Sequence, residues 1–158
     1  MATRQNGDVK LAPDAPARAG YERDFYSWLM EQARLLREGR WAALDRDNLA
    51  EEIESLGAEQ FDKLVGALRV LMLHMLKWDH QPKKRTRSWA LSIKAQRHDL
   101  DDVLSDNPGL KSRLPEALER AYRKAWLQAI KETKVAEARF PAACQYSWND
   151  IVSREFSA

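Results

Sequence analysis

Cysteine is almost missing from this chain of 158 residues: Cys144 stands alone, which excludes an intrachain disulfide and any all-thiolate metal site. With no histidine near it in sequence, it reads as a small packed residue rather than a nucleophile. Long apolar runs are missing too. The longest is a few residues, against the roughly 18 to 20 that a bilayer span needs, and the first residues lack the apolar core of a signal peptide. A cytoplasmic protein that does not enter a membrane is expected. A net charge of +2 is small for a nucleic-acid binder. No Gly-rich phosphate loop, no Gly-x-Ser-x-Gly elbow and no His-Glu-x-x-His occurs, which weighs against an enzyme and implies no cofactor. No stretch alternates with period two between turn signals, and no repeat of 20 to 50 residues is visible, so no strand or solenoid is expected.

What is present is helical periodicity. From residue 45 to 78 the apolar positions Leu49, Ile53, Leu56, Phe61, Leu64, Leu68, Leu71, Met75 and Trp78 recur at steps of three and four. Beyond Leu64 they spread around the helix, as in the centre of a bundle. Unbroken, that helix would be about 51 Å long, so Gly57 is the expected bend or break. Phe25, Leu29, Ala33 and Leu36 predict a helix over 21 to 38, stopped by Gly39. Trp89, Ile93, Leu100 and Leu104 predict one over 88 to 105, capped by Thr86 or Ser88. Leu118, Tyr122, Ala125, Ala129 and Thr133 predict one over 115 to 137, and Ser147 with Asp150 resembles a capping box for a short last helix docked by Tyr146, Trp148 and Phe156. The expected fold is an all-α, single-domain bundle of four main helices plus a short C-terminal one, spanning 21 to 158 behind an arm at 1 to 20. Phe25, Leu29, Ile53, Leu64, Leu68, Leu71, Ile93, Leu100, Leu118 and Tyr122 are expected to share one core.

Charge is segregated along this frame. Between Asp45 and Asp62 lie seven acids against Arg46 alone, and between Lys77 and Arg87 five bases against Asp79 alone. Arg97 interrupts the apolar stripe of the third helix, and Glu52 borders that of the second. Each is costly to bury unpaired, so the two are expected to form a structural ion pair, with Glu51 or Glu54 as the other choices. Glu51, Glu54, His74 and Lys77 make a candidate polar cluster. Lys83, Lys84, Arg85, Arg87 and Trp89 could hold phosphate and stack a base. A bundle can build a metal site from Glu and Glu-x-x-His motifs on facing helices. Here no Glu-x-x-His occurs, and the triplet His98, Asp101 and Asp102 reads as a solvated face, so no metal is assigned.

Several segments match a known pattern in order: residues 48 to 57 (Asn-Leu-Ala-Glu-Glu-Ile-Glu-Ser-Leu-Gly), His74 to Trp78 with Gln81, Ser88-Trp89 with Gln96-Arg97, and Glu132-Thr133 followed by Phe140-Pro141. Over roughly 21 to 152 the chain thereby resembles a bacterial family known only as domain of unknown function twenty-nine. The resemblance implies a helical fold and a bacterial source and supplies no activity or site residue. The chain departs from the family's frequent Cys-Pro-Tyr and Pro-Ser-Leu at Cys144-Gln145-Tyr146 and Pro108-Gly109-Leu110.

With no catalytic motif, six tryptophans and opposite charge at two ends, the expected function is a non-catalytic protein-interaction module that associates with itself or another protein. The alternatives are nucleic-acid binding through 77 to 89 and a metal-dependent enzyme using helix-borne Glu and His.

Overall fold

Where periodicity draws one helix over 21 to 38, the computed structural model, which describes residues 16–157, has two: α1 (Pro16–Arg23) and α2 (Phe25–Arg37). Asp24 separates them with an extended backbone at φ −149° and caps α2, its Oδ1 accepting from the Ser27 backbone N–H. Of the expected arm, residues 1–15 lie outside the described residues, and the chain from Pro16 onward is helical. Gly39 closes α2 as expected. At φ +69° its N–H donates to Leu36 O while the Arg40 N–H donates to Leu35 O, the paired bonds of a Schellman turn.

The third helix, α3 (Arg46–His80), runs 35 residues without a break. Gly57 is helical and faces open space, so the expected bend is absent. One glycine costs a helix interior about 1 kcal/mol, which flanking helix formers such as Glu54, Leu56, Ala58 and Glu59 absorb. The helix also exceeds the length of one small core because it serves two compact units, divided between Ser55 and Leu56. No linker in the sequence marks that division.

Among its described residues the first unit buries Trp28, Gln32 and Leu35 on α2, and Asp45 just ahead of α3. Phe25 and Ile53, expected in a common core, are exposed.

The second unit holds the hydrophobic core. From Leu64 to Leu76, α3 buries side chains on most of its faces, as its pattern demanded. Around it pack α4 (Arg87–Asp106), with Ile93, Leu100 and Leu104, and α5 (Leu114–Thr133). Thr86 caps α4, its Oγ1 accepting from the Trp89 N–H. The inner line of α5 is Ala117, Ala121, Ala125 and Ala129, all fully buried. Such small residues at every fourth position let a backbone approach closely. This helix ends at Thr133 instead of 137, because Lys134 adopts the left-handed conformation (φ 55°) and the Thr133 hydroxyl donates to Ala129 O while accepting from the Val135 N–H. Short α6 (Trp148–Ser153) carries the expected capping box between Ser147 and Asp150. Tyr146 and Phe156 pack on the core, but Trp148 stays 37% exposed. Among the described residues there is no strand, and no helix is long and apolar enough to cross a membrane.

Candidate interaction surface and the polar clusters

Polar hydrogen bonds tie α1, α2 and the start of α3 together. The Asp45 carboxylate accepts from Trp28 Nε1 at 3.3 Å and Asn48 Nδ2 at 2.7 Å, while its own N–H donates to Gln32 Oε1 at 2.9 Å. At the other end the Tyr21 hydroxyl donates to Glu52 at 2.6 Å. That bond to a carboxylate pushes the Tyr21 hydroxyl up to about 12. Because position 45 meets position 32 while position 52 meets position 21, α3 starts antiparallel to α1 and α2. Tyr21 also sets its ring edge-on to Trp28 at 4.8 Å, and Phe25 stacks on Trp28 at 5.8 Å.

At about 100° per residue, Trp28, Gln32 and Leu35 occupy one stripe of α2, the buried one. Phe25, Leu36, Leu29, Ala33, Tyr26 and Met30 then occupy a second stripe about 140° wide. Tyr26 is 72% exposed, and Phe25, Met30 and Leu36 are exposed with it. On α3 the inner line is Asp45, Asn48, Leu49 and Glu52, and Ile53, 60% exposed, lies about a quarter turn round from it. Since the helices are antiparallel, a clockwise turn on one matches an anticlockwise turn on the other, and both apolar stripes come out on one side of the pair. The helical spacing that places Phe25 and Leu29 in a core is thus the spacing of this exposed stripe.

Arg97 and Glu52 each have a partner other than the one expected. Glu52 accepts from Tyr21, and Arg97 donates from Nε to Ile151 O at 2.6 Å and from Nη2 to Asp150 O and Arg154 O at 3.1 and 2.8 Å. Three main-chain carbonyls at the end of α6 need donors, and the guanidinium fork supplies them. Burial lowers the Arg97 pKa, with the Glu155 charge opposing.

Of the expected polar cluster, Glu51 and Glu54 are exposed on α3. His74 Nδ1 bonds to Val70 O at 2.8 Å within its own helix. Lys77 bridges to Glu132 at 3.0 Å and lies 4.9 Å from the Trp89 ring centre. Burial pushes the Glu132 carboxyl up, but hydrogen bonds from Gln128 and Lys77 prevail and lower it.

In the basic stretch, Lys83, Lys84 and Arg87 are exposed and make no ion pair among the described residues. Arg85 donates to Trp78 O at 2.9 Å and lies over the Trp78 ring. His98, Asp101 and Asp102 are exposed, and no group of three or more His, Cys, Asp or Glu side chains that could hold a metal ion occurs among the described residues. Cys144 is an exposed residue, contrary to the packed reading, and desolvation of its sulfur raises the thiol pKa, the wrong direction for a nucleophile.

Sequence reasoning missed one cluster. Asp79 accepts from Arg154 at 2.5 and 3.0 Å and from the Tyr146 hydroxyl at 3.0 Å. Phe156 meets Trp78 edge-on at 5.5 Å beside it. Its only sequence signal was the lone acid within the basic stretch.

The family described as Domain of unknown function DUF29 matches residues 21–157. The chain belongs to the DUF29 family. No curated protein and no solved structure matches it. The DUF29 match runs across both compact units.

Proposed function

We propose that this DUF29 protein is a non-catalytic, self-associating interaction module whose binding element is its first unit. The observation that carries this is the second apolar stripe of α2, which leaves Phe25, Tyr26, Met30 and Leu36 in solvent while, among the described residues, the unit buries Trp28, Gln32, Leu35 and Asp45. A unit spanning Met1–Ser55 is small enough to be only marginally stable by itself. This one contains no cysteine. Association supplies what its core does not. The exposed acids Glu51 and Glu54 of this unit suit a polar rim that orients partners more than it holds them.

A second reading, anion or nucleic-acid binding, is favoured by the exposed cations Lys83, Lys84 and Arg87. It is weakened because Lys77 lies over the Trp89 ring and Arg85 is tied to Trp78. Size-exclusion chromatography with light scattering, at low and high salt, tests the proposal on protein also assayed for metal and nucleic acid. A metal-free, nucleic-acid-free particle above the 18.3 kDa of one chain, nearly unchanged by salt, is expected. A monomer at both salts contradicts self-association, and co-purified nucleic acid that salt removes supports the second reading.

A further inference from the structure

Three polar groups besides the apolar face of the first unit carry ionisable side chains in close contact. The Asp79, Arg154 and Tyr146 cluster and the Arg97 fork have their hydrogen-bonding groups engaged within the chain. The Lys77 and Glu132 pair is satisfied in the same way. The surface formed by α2 and the start of α3 is different, because no described residue of its own unit covers it.

We infer that this surface is covered by the same surface of a second copy, with the two α2 helices packed antiparallel about a two-fold axis level with Glu31. The inference rests on the self-association proposed above and names its interface and symmetry. Three features point to a second copy.

First, the area suits one. Phe25, Tyr26, Met30, Leu36 and Ile53 are exposed, and with roughly 150–250 Å² in a large aromatic side chain their exposed parts amount to roughly 500 Å² before the flanking polar side chains are added. A stable interface takes about 800 Å² from each partner.

Second, the stripe complements itself. In an antiparallel register about position 31, Leu29 meets Ala33 of the second copy, and Phe25 and Tyr26 meet Arg37 and Leu36 of the second copy. Ala33 near the middle of the stripe allows the backbones to approach there, and the aromatic residues Phe25 and Tyr26 lie toward one end. Such a match between a helix and its own reversed image is what a two-fold interface requires.

Third, the charges agree with that direction. Arg34 is held by Glu31 and Glu38 at 2.6 and 2.7 Å on the far side of the helix. Arg37 at the C-terminal end makes no ion pair among the described residues, and it would lie beside the end carrying Glu22 and Asp24 of the other copy. Antiparallel α2 helices also set the positive end of each dipole against the negative end of the other.

Sedimentation equilibrium of the full chain and three variants tests the inference. The native protein is expected at twice 18.3 kDa. Tyr26→Glu places a carboxylate against Leu36 of the second copy and should weaken dimerisation by about thirtyfold or more, the effect of losing one hot-spot side chain. Leu36→Lys should do the same. Both changes in one chain set opposite charges against each other and should restore the dimer. Both positions are exposed, so helicity by circular dichroism should stay native in each. If the native chain dimerises and Tyr26→Glu leaves the dimer intact, this interface is wrong while self-association stands. A failure of the double variant to regain dimer while staying helical rejects the antiparallel register. A monomeric native chain removes both.

Discussion

Arg97 on α4 donates from Nε to the carbonyl oxygen of Ile151 at 2.6 Å, and so terminates a helix 54 residues further along the chain. With six residues, α6 is far too short to hold itself in water, and its docking depends on this fork and on buried Ile151. Arg97→Met should cost about 2–4 kcal/mol in urea unfolding, because three carbonyls lose a charged donor. Arg97→Lys should recover less than half, since an ammonium lacks the planar fork. Amide exchange across 148 to 153 should rise in both.

A second tie fixes the same segment from α3. Asp79 and Arg154 are a quarter to a third exposed as side chains, so their pair is partly screened. Asp79→Asn should cost about 1–2 kcal/mol, and a double-mutant cycle with Arg154→Gln should give a coupling of about 1 kcal/mol. Burial, followed by the Asp79 charge and hydrogen bond, holds the Tyr146 hydroxyl far above its ordinary value. Absorbance titration of Asp79→Asn should therefore find Tyr146 ionising at lower pH than in the native protein.

Acid should destabilise the chain in a defined window. The Asp150 carboxyl is lowered by hydrogen bonds from the Ser147 hydroxyl and backbone, and Asp24 is lowered in the same way by Ser27. A folded pKa below the unfolded one means that the native state binds fewer protons, so the stability these groups contribute is complete above about pH 4 and is lost as pH falls through the folded values. Ser147→Ala should remove about 1 kcal/mol at neutral pH and flatten the acid dependence. Urea midpoints between pH 2 and 5 measure both effects.

Much of this fold was legible in the sequence because period and caps are local. The stop at Gly39, the cap at Thr86 and the box at Ser147 each follow from a side chain and a backbone group within a few residues. The partners of Arg97 and Glu52 were not legible, since apolar spacing says that an ion on a stripe needs a partner and leaves its identity to tertiary packing. The split at Asp24 was hidden because Tyr21, Phe25 and Trp28 keep helical spacing across it. Phe25 and Ile53 keep the helical spacing of core residues yet are exposed, because periodicity marks an apolar stripe without saying whether the chain itself covers it.

Gly57 offers a stabilising change. A Cβ there would meet nothing within 4 Å, and the backbone is helical. Gly57→Ala should raise stability by about 0.5–1 kcal/mol by restricting the unfolded chain and favouring the helix. A thermal melt that loses stability instead would mean that the helix bends at this position in solution.

The central claim, that the first unit is held by association, is tested most directly by thermal unfolding followed by circular dichroism over a hundredfold range of protein concentration. Mass action requires that a structure stabilised by binding its own kind melts later as the chain becomes more concentrated. The expected result is a midpoint that rises steadily with concentration in the native protein and is lower and constant in Tyr26→Glu. A native midpoint independent of concentration over that range contradicts the account.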